Sequence, residues 1–306
     1  MSEVLKLPKV RGTYRHNFDL SKSNWFRVGG KAQVLFLPKD AADLQFFLQN
    51  KPQDLPINIL GACSNVIIAD GMIEGVTIKL GGGFGQMTHQ NGLLKIGAGA
   101  LCQNAALFGK INSLTNLEFL STIPGSIGGA IAMNAGCYGG EMSQILVRAN
   151  ALDFDGNLIE LQNADFGFEY RRHNLQQELI FVEALLKVEK GDAKKIGAMM
   201  ADFAKKRADT QPLKVQTGGS TFKNPKNSSK EASKKASKKA WQLIDEAGCR
   251  GLKMNNAMMS EKHCNFMVNL GGASSADLIA LGDEVIDRVK EKTGVKLEWE
   301  IKRVGN

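Results

Sequence analysis

The stretch Ile123-Pro-Gly-Ser-Ile-Gly-Gly-Ala130, followed by Met133-Asn-Ala-Gly-Cys-Tyr-Gly-Gly140, indicates what kind of fold this chain adopts. It places six glycines within the sixteen residues from Gly125 to Gly140. A glycine costs roughly 0.5–1 kcal/mol relative to alanine in a regular element, because it loses more backbone freedom on folding. A loop that only connects two elements has little reason to accumulate that cost. A loop that wraps closely around a large flat cofactor does, so this stretch predicts a cofactor-binding loop.

Two further glycine-bearing segments lie upstream, Arg27-Val-Gly-Gly-Lys-Ala32 and Leu60-Gly-Ala-Cys-Ser-Asn65. The second lies between two apolar runs, where successive backbone N–H groups can converge on a phosphate oxygen. From this segment alone, an ordinary hairpin turn is the favoured interpretation. No segment matches G-x-G-x-x-G; the nearest, Gly97-Ala-Gly-Ala-Leu-Cys102, lacks the last glycine. A bound dinucleotide would therefore be held by a scaffold other than the Rossmann fold.

Short apolar runs and two clear helix signals surround these loops. Asp40 follows a strand-like run and precedes apolar residues at helical spacing, and Ser274 with Asp277 resembles a capping box before a long helix that ends near Gly294. Strands are predicted over 33–37, 57–60, 66–68, 76–80, 93–96, 145–154, 158–161, 179–188, 266–270 and 295–302, and further helices over 192–207 and 241–247. The hairpin between 145–154 and 158–161 turns at Asp155-Gly156. This mixture predicts an α+β fold.

Composition sets the broad class. The chain has 306 residues, of which 43% are hydrophobic and 23% charged. No apolar run reaches the roughly 18–20 residues of a membrane span, and the N-terminus lacks the apolar core of a secretory signal. The five cysteines show no metal-ligand spacing with one another or with the four histidines. We expect reduced thiols, no metal site and a cytoplasmic location.

The net charge of +8 raises the possibility of a nucleic-acid-binding protein. The segment Lys226–Lys239 carries six lysines and one glutamate, however, which accounts for most of that excess. It has no interleaved aromatic residues and no arginine, so base stacking and base-edge readout are both missing. We expect a mobile solvated loop there and no nucleic-acid partner.

The order of the motifs resembles that of the MurB family, the FAD-dependent UDP-N-acetylenolpyruvoylglucosamine reductases of peptidoglycan precursor synthesis. The resemblance extends from Asn24 to the C-terminus. It rests on Trp25-Phe-Arg-Val-Gly-Gly-Lys-Ala32, Leu60-Gly-Ala-Cys-Ser-Asn65, Leu117-Glu-Phe-Leu-Ser-Thr-Ile-Pro-Gly-Ser-Ile-Gly-Gly-Ala130, Met133-Asn-Ala-Gly136, Tyr170-Arg171, Gly219-Ser-Thr-Phe-Lys-Asn-Pro225, Ser260-Glu-Lys-His263 and Glu300-Ile-Lys-Arg303. The chain ends at Asn306 without an extra tyrosine-bearing loop, as in the shorter type II branch.

The resemblance implies a PCMH-type, two-part FAD-binding unit over 1–82 and 83–208, and a smaller α+β substrate-binding domain with a C-terminal catalytic strand over 209–306. It also implies FAD as cofactor, NADPH as reductant, a UDP-sugar enolpyruvyl substrate and a monomer. The residues that it assigns to cofactor binding are Arg27, Gly29, Gly61, Ala62, Cys63, Ser64, Asn65, Pro124, Gly125, Ser126, Gly128, Gly129, Asn134 and Gly136. Tyr170, Lys223 and Asn224 are assigned to the substrate.

The implied reaction reduces an enolpyruvyl ether to a lactyl ether with a hydride that comes from NADPH through FAD. The resemblance assigns Arg171 to the charge that develops on the substrate carboxylate, because a guanidinium pairs with a carboxylate in a fork. It assigns Ser220 as the proton donor to carbon and Glu300 as its helper. A flavin oxidase of the same fold that uses oxygen would share the glycine loops, but not the motif around Ser220 with a terminal glutamate.

Two departures from the family pattern bear on the site. The usual Gly-Gly-Gly-Ser-Asn turn is Gly61-Ala-Cys-Ser-Asn65 here, so Ala62 and Cys63 must adopt that backbone. Arg172 and His173 follow Tyr170-Arg171 where small polar residues are usual, which leaves open which arginine is catalytic.

Overall fold

The computed structural model describes residues 5–225 and 238–305. Residues 226–237, which make up most of the predicted mobile loop over 226–239, lie outside the described residues. The strands are β1 Thr13–Asp19, β2 Lys31–Leu37, β3 Ile57–Leu60, β4 Val66–Ile68, β5 Met72–Lys79, β6 Met87–Gln90, β7 Leu93–Gly97, β8 Leu114–Thr115, β9 Gly136–Cys137, β10 Gly140–Glu141, β11 Leu146–Leu152, β12 Leu158–Gln162, β13 Ile180–Lys187, β14 Glu189–Lys190, β15 Lys253–Met254, β16 Ala257–Met259, β17 Met267–Asn269 and β18 Lys302–Val304. The α-helices are α1 Ala41–Asn50, α2 Cys102–Ile111, α3 Ile127–Ala132, α4 Met142–Ile145, α5 Ala193–Thr210, α6 Ala240–Glu246 and α7 Ser275–Thr293.

The chain folds into two units that interleave along the sequence. The first comprises the chain up to Phe18 together with Ala32–Ala62 and Glu74–Arg207. The second comprises Asp19–Lys31, Cys63–Ile73 and the chain from Ala208 onward. Two short N-terminal segments therefore belong with the C-terminal third.

Two sheets form the framework of the first unit. One has the strand order β1-β2-β5-β3, with β3 and β5 parallel. Helix α1 begins where the Asp40 carboxylate accepts the N–H of Asp43 at 2.9 Å. Its residues Leu44, Phe47 and Leu48 are buried with Val34 and Phe36 of β2. The predicted helix cap and helical spacing are confirmed.

The other sheet has the order β12-β11-β13-β7-β6. Its β11–β12 pair is the predicted hairpin, and Gly156 in its turn has a φ of +82°. Buried residues of β7, β11 and β13 share a hydrophobic core with helices α2 and α3. This core is continuous with the loop from Ile123 to Gly140.

The second unit has a core around α7. The helix begins with the predicted capping box, in which the Ser274 hydroxyl accepts the N–H of Asp277 at 3.0 Å. It ends at Gly294, whose φ is +74°. The three-stranded sheet β15-β16-β17 and the parallel pair β4–β18 belong to this unit. Mixed parallel and antiparallel sheets with packed helices confirm the α+β class.

The predicted strand over residues 295–302 is wrong for most of its length. Only Lys302–Val304 forms a strand, whereas Val295 to Ile301 lies outside any strand and has one isolated bridge, between Trp299 and Phe222. The alternation still governs burial, since Leu297 and Ile301 are buried and Lys296 and Glu298 are exposed. The segment lacks a ladder because its partner is the short run around Phe222.

No helix in the described parts of the chain is long and apolar enough to cross a membrane. All five cysteines are free thiols. Burial raises the pKa of the Cys102 thiol to about 12, so this residue acts as a small apolar side chain in the core.

Candidate active site

The turn from Gly61 to Asn65 joins β3 to β4. A Cβ added at Gly61 would lie 2.7 Å from the Ser126 hydroxyl oxygen and, its chain neighbours aside, within 4 Å of no other described residue, so the two predicted cofactor contacts are neighbours. Cys63 is buried and has a φ of +53°, a left-handed backbone that costs a non-glycine residue roughly 1–2 kcal/mol. Of the two residues expected to adopt a glycine-like backbone, Cys63 does so, whereas Ala62 has no positive φ.

The loop around Ser126 is held by backbone hydrogen bonds on both of its sides. The Gly125 carbonyl accepts the N–H of Cys102 at 2.9 Å, and the Gly128 N–H donates to the Ala98 carbonyl at 2.8 Å. A Cβ at Gly128 would lie 3.1 Å from the Ala98 Cβ, so glycine permits this close approach. Gly129 is exposed, and a Cβ added there would lie 3.5 Å from the Ser126 hydroxyl.

Asn134 and Gly136 have structural partners of their own. The Asn134 amide accepts the N–H of Ser143 at 2.9 Å and donates to the Glu169 carbonyl at 3.1 Å. A Cβ at Gly136 would lie 2.6 Å from that of Glu141 on the paired strand β10. These contacts fix the second half of the loop.

The donors present in these loops suit a pyrophosphate-bearing cofactor such as FAD. Residues 60–65 and 123–137 contain serine hydroxyls and backbone N–H groups but no aspartate or glutamate. Gly61 leaves open the space next to Ser126 that a Cβ would fill. Backbone N–H groups in such turns bind phosphate oxygens, so the residues fit the cofactor.

Arg27 and Gly29 lie on a segment of the second unit that packs on β4. Arg27 has a φ of +58°, and its guanidinium donates to the Lys22 carbonyl. Gly29 has a φ of +104°, and a Cβ there would meet Ile68 at 2.7 Å. The Gly30 N–H donates to the Ala69 carbonyl at 2.7 Å, which fixes the segment beside the strand.

Ser220 and Glu300 lie close together in the second unit. Ser220 forms an isolated bridge with Phe266, and the next residue, Thr221, is fully buried. The Thr221 carbonyl accepts the N–H of Glu300 at 2.8 Å. The Glu300 carbonyl in turn accepts the side-chain amide of Asn65 at 3.1 Å. The structure thus joins two predicted catalytic residues to the end of the Gly61–Asn65 turn.

The two predicted substrate contacts after Ser220 also have partners. The Lys223 ammonium lies 3.9 Å from the Glu298 carboxylate, which is exposed. The Asn224 side-chain carbonyl accepts the N–H of Ala240 at 3.0 Å, at the first residue of α6. Lys223 is therefore half-buried beside an exposed carboxylate, and Asn224 connects the Ser220 segment to a helix.

Tyr170 and Arg171 belong to the first unit. Arg171 has a φ of +58°, and its guanidinium donates to the Gly136 carbonyl at 2.9 Å and lies 5.1 Å from the Tyr170 ring centre. Arg172 instead pairs with the Glu169 carboxylate at 2.6 Å. Arg171 therefore lies against the carbonyl of Gly136 in the glycine-rich loop, whereas Arg172 pairs with Glu169.

Sequence reasoning missed two residues of these loops, Asn265 and Arg207. Both atoms of the Asn265 amide bond the backbone of Phe222, two residues after Ser220. Arg207 donates to the Thr122 carbonyl at the start of the glycine-rich loop. The position of Asn265 just after the polar motif Ser260–His263 was a usable signal for it, whereas no local pattern marks Arg207. Within the described residues, no group of three or more histidine, cysteine or acidic side chains could hold a metal ion.

Comparison with known proteins places these features in one family. Residues 32–162 match the model of an FAD binding domain, and residues 211–304 match that of the C-terminal domain of UDP-N-acetylenolpyruvoylglucosamine reductase. The UDP-N-acetylenolpyruvoylglucosamine reductase of Rickettsia conorii is 47% identical over 302 residues, covering 99% of this chain and 99% of the relative. That of Rickettsia bellii is 47% identical over 302 residues, covering 98% and 97%.

A solved structure agrees with these sequence matches. The crystal structure of UDP-N-acetylenolpyruvylglucosamine reductase (MurB) from Thermus caldophilus superimposes with a TM-score of 0.79 at 30% identity, covering 96% of this chain and 99% of that one. Sequence and structure therefore match over nearly the full length of both chains. The chain belongs to the UDP-N-acetylenolpyruvoylglucosamine reductase family.

Proposed function

We propose that this protein is an FAD- and NADPH-dependent oxidoreductase that reduces UDP-N-acetylglucosamine enolpyruvate to UDP-N-acetylmuramate in peptidoglycan precursor synthesis. It acts on a CH–CH bond, with NADP as the acceptor in the reverse direction. The observation that carries the proposal is the backbone hydrogen bond from the Glu300 N–H to the Thr221 carbonyl, because it brings together the segments that carry Ser220 and Glu300. Full-length relatives of that name support it.

The chain's own residues supply binding, charge and a proton. FAD, when bound, supplies the hydride chemistry between NADPH and the substrate. Addition of hydride to the methylene carbon of the enolpyruvyl group leaves negative charge on the adjacent carbon and its carboxylate. The Arg171 guanidinium pairs with that carboxylate in a fork and stabilises the charge.

Ser220 gives its hydroxyl proton to the carbon that carries the charge. A serine is a weak acid in water, so its position must be fixed for the transfer to be efficient. The backbone around it is fixed, since Thr221 donates its N–H to the Asn265 carbonyl at 2.8 Å and accepts from Glu300. The Glu300 carboxylate assists the same proton transfer. Lys223 and Asn224 bind the diphosphate side of the substrate, together with Tyr170.

The remaining cofactor assignments are proposals of the same kind. The Gly61–Asn65 turn and the loop from Pro124 to Gly136 hold the FAD pyrophosphate through backbone N–H groups and serine hydroxyls, with Arg27 and Gly29 on the adjoining segment. We further propose a division at residues 82 and 208, a monomer of the type II branch, and a cytoplasmic location, which suits free thiols and NADPH.

Stopped-flow absorbance of the flavin tests the roles of the catalytic residues. In Ser220→Ala, NADPH should bleach the flavin at close to the wild-type rate, whereas reoxidation by the enolpyruvyl substrate should slow by at least the roughly 10²-fold typical of a lost positioned acid. Glu300→Gln should give the same pattern. Glu291→Gln, the same change at an exposed position of α7, is the matched control and should alter neither rate.

Two results would contradict the proposal. A purified protein that neither contains nor takes up FAD would refute the cofactor. If Ser220→Ala slowed bleaching and spared reoxidation, Ser220 would belong to NADPH or cofactor placement instead of protonation.

A further inference from the structure

Arg207 has an unusual position for a residue near the end of a polar helix. Of the residues of α5, only Ile196 is fully buried, yet the Arg207 guanidinium turns inward and donates to the Thr122 carbonyl. Its Nε is buried and has no hydrogen-bond partner among residues 5–225 and 238–305. An unpaired donor of a charged group that is shielded from water is costly. The described part of the chain therefore supplies no acceptor for this N–H group.

Among the described residues, the two groups that act electrostatically on the Arg207 guanidinium are both neutral at physiological pH. Burial lowers the pKa of its guanidinium, and the groups that oppose this shift are Tyr138 and Cys137, both neutral at physiological pH. Phe203, one helical turn before Arg207, stacks on Tyr138 with ring centres 4.7 Å apart. Residues 119–140 contain no aspartate or glutamate.

A second guanidinium lies on the same loop. Arg171 donates to the Gly136 carbonyl at 2.9 Å, and Cys137 experiences the positive charge of both arginines. The Cys137 thiol is 3.2 Å from the Thr122 hydroxyl, so the two ends of the loop meet there. The glycine-rich loop is therefore held by one arginine at each end, with positive charge at both.

We propose that Arg207 binds phosphate oxygens of a nucleotide at this loop, through the guanidinium edge that Thr122 leaves unused. Arginine is suited to this because its planar fork of donors matches phosphate geometry. The inference rests on the function proposed above, whose three nucleotides, FAD, NADPH and the UDP-sugar, all carry a diphosphate. It adds to the proposed site a cation that the motifs did not assign.

The test compares three variants of the FAD-loaded enzyme. Arg207→Gln retains a donor for Thr122 but removes the charge, Arg207→Lys retains the charge, and Lys205→Gln makes the same charge change at an exposed position of α5. Calorimetric titration with UDP and with NADP⁺ measures binding without turnover, and the FAD content of each purified protein is measured by absorbance.

Loss of a charge-assisted hydrogen bond to phosphate is worth roughly 1.5–3 kcal/mol, or about 10- to 100-fold in affinity. We expect Arg207→Gln to lose this much toward UDP or toward NADP⁺, or to lose FAD, and the ligand affected identifies the source of the phosphate. Arg207→Lys should recover part of the loss, and Lys205→Gln should bind as wild type does.

Three outcomes would overturn the inference. If Arg207→Gln matched Lys205→Gln toward all three ligands, Arg207 would serve only to hold Thr122. If Arg207→Gln bound the ligands more tightly than Arg207→Lys, binding would depend on the hydrogen bond to Thr122 and not on the positive charge. If the wild-type enzyme bound neither UDP nor NADP⁺, the proposed function itself would be wrong.

Discussion

Asn265→Asp replaces an amide by a carboxyl of the same shape at the residue that holds the Ser220 segment. The side-chain carbonyl of Asn265 accepts the N–H of Phe222 at 3.0 Å, and the side-chain NH₂ donates to the Phe222 carbonyl at 2.9 Å. Asn265 is only 5% exposed. An ionised aspartate can accept the first bond but sets a charged oxygen against the Phe222 carbonyl in place of the second.

The cost depends on pH in a way that can be worked out. A protonated aspartic acid donates to the Phe222 carbonyl and restores both bonds, so the folded protein raises the pKa of this carboxyl above its unfolded value near 3.9. Keeping the carboxyl protonated costs at most about 4 kcal/mol at pH 7 and about 1.5 kcal/mol at pH 5. Stability relative to wild type is therefore retained at low pH and lost as pH rises through the folded pKa.

Tryptophan fluorescence during urea unfolding suits this measurement, because Trp25, Trp241 and Trp299 all lie in the second unit. We expect the Asn265→Asp penalty to grow by about 1–2.5 kcal/mol between pH 5 and pH 7. Asn265→Ala removes both bonds and should cost about 2–4 kcal/mol at either pH. In both variants, reoxidation of the flavin by substrate should slow more than its bleaching by NADPH. An Asn265→Asp penalty that is equal at pH 5 and pH 7 would refute the two amide contacts.

Three further changes test the second unit. Gly282→Ala sets a Cβ against the indole ring of Trp299, and this overpacking should lower the free energy of unfolding in urea by about 1–3 kcal/mol. The loss should be smaller when Trp299→Leu is also present. Equal losses in both backgrounds would contradict the contact. Burial lowers the pKa of His263, so the unfolded state binds a proton more readily than the folded state does. The second unit should therefore lose stability as pH falls below about 6.5, and His263→Gln should remove this loss. An unchanged dependence of stability on pH in that variant would contradict the role of His263. Asp70→Ala removes a carboxylate that accepts the N–H and the hydroxyl of Ser275, at the start of α7, at 2.9 Å each. The free energy of unfolding in urea should drop by about 1–2 kcal/mol. Asp283→Ala, at an exposed position of α7, should cost little, and equal drops would refute the capping role of Asp70.

Local signals were enough where a residue's partner lies a few positions away. The Asp40 cap, the Ser274 box and the turn at Gly156 are all formed between near neighbours. Their hydrogen bonds depend on backbone geometry within one turn, which the sequence reveals directly. The strands and helices that these signals bound were predicted within a few residues.

Alternation of apolar residues proved to be a weaker guide near the C-terminus. The pattern from Val295 to Ile301 predicted which side chains are buried, because burial depends only on which face meets the core. A ladder also needs a partner strand, and the partner here is the short run around Phe222, distant in sequence. Periodicity therefore identifies the buried face of an extended segment but not whether that segment is paired.

The same distinction explains which parts of the candidate site could be found from sequence. Ser220 and Glu300 were identified through motif order, yet their proximity depends on a backbone hydrogen bond between residues 221 and 300. Arg207 was invisible because its inward position depends on Thr122, 85 residues away, in a helix whose composition indicates a solvated surface. Motifs indicate which chemical groups a loop supplies. The packing of the fold determines which partners a charged group finds. That is why the unassigned cation at the glycine-rich loop, and not any motif, is the more informative target for mutation.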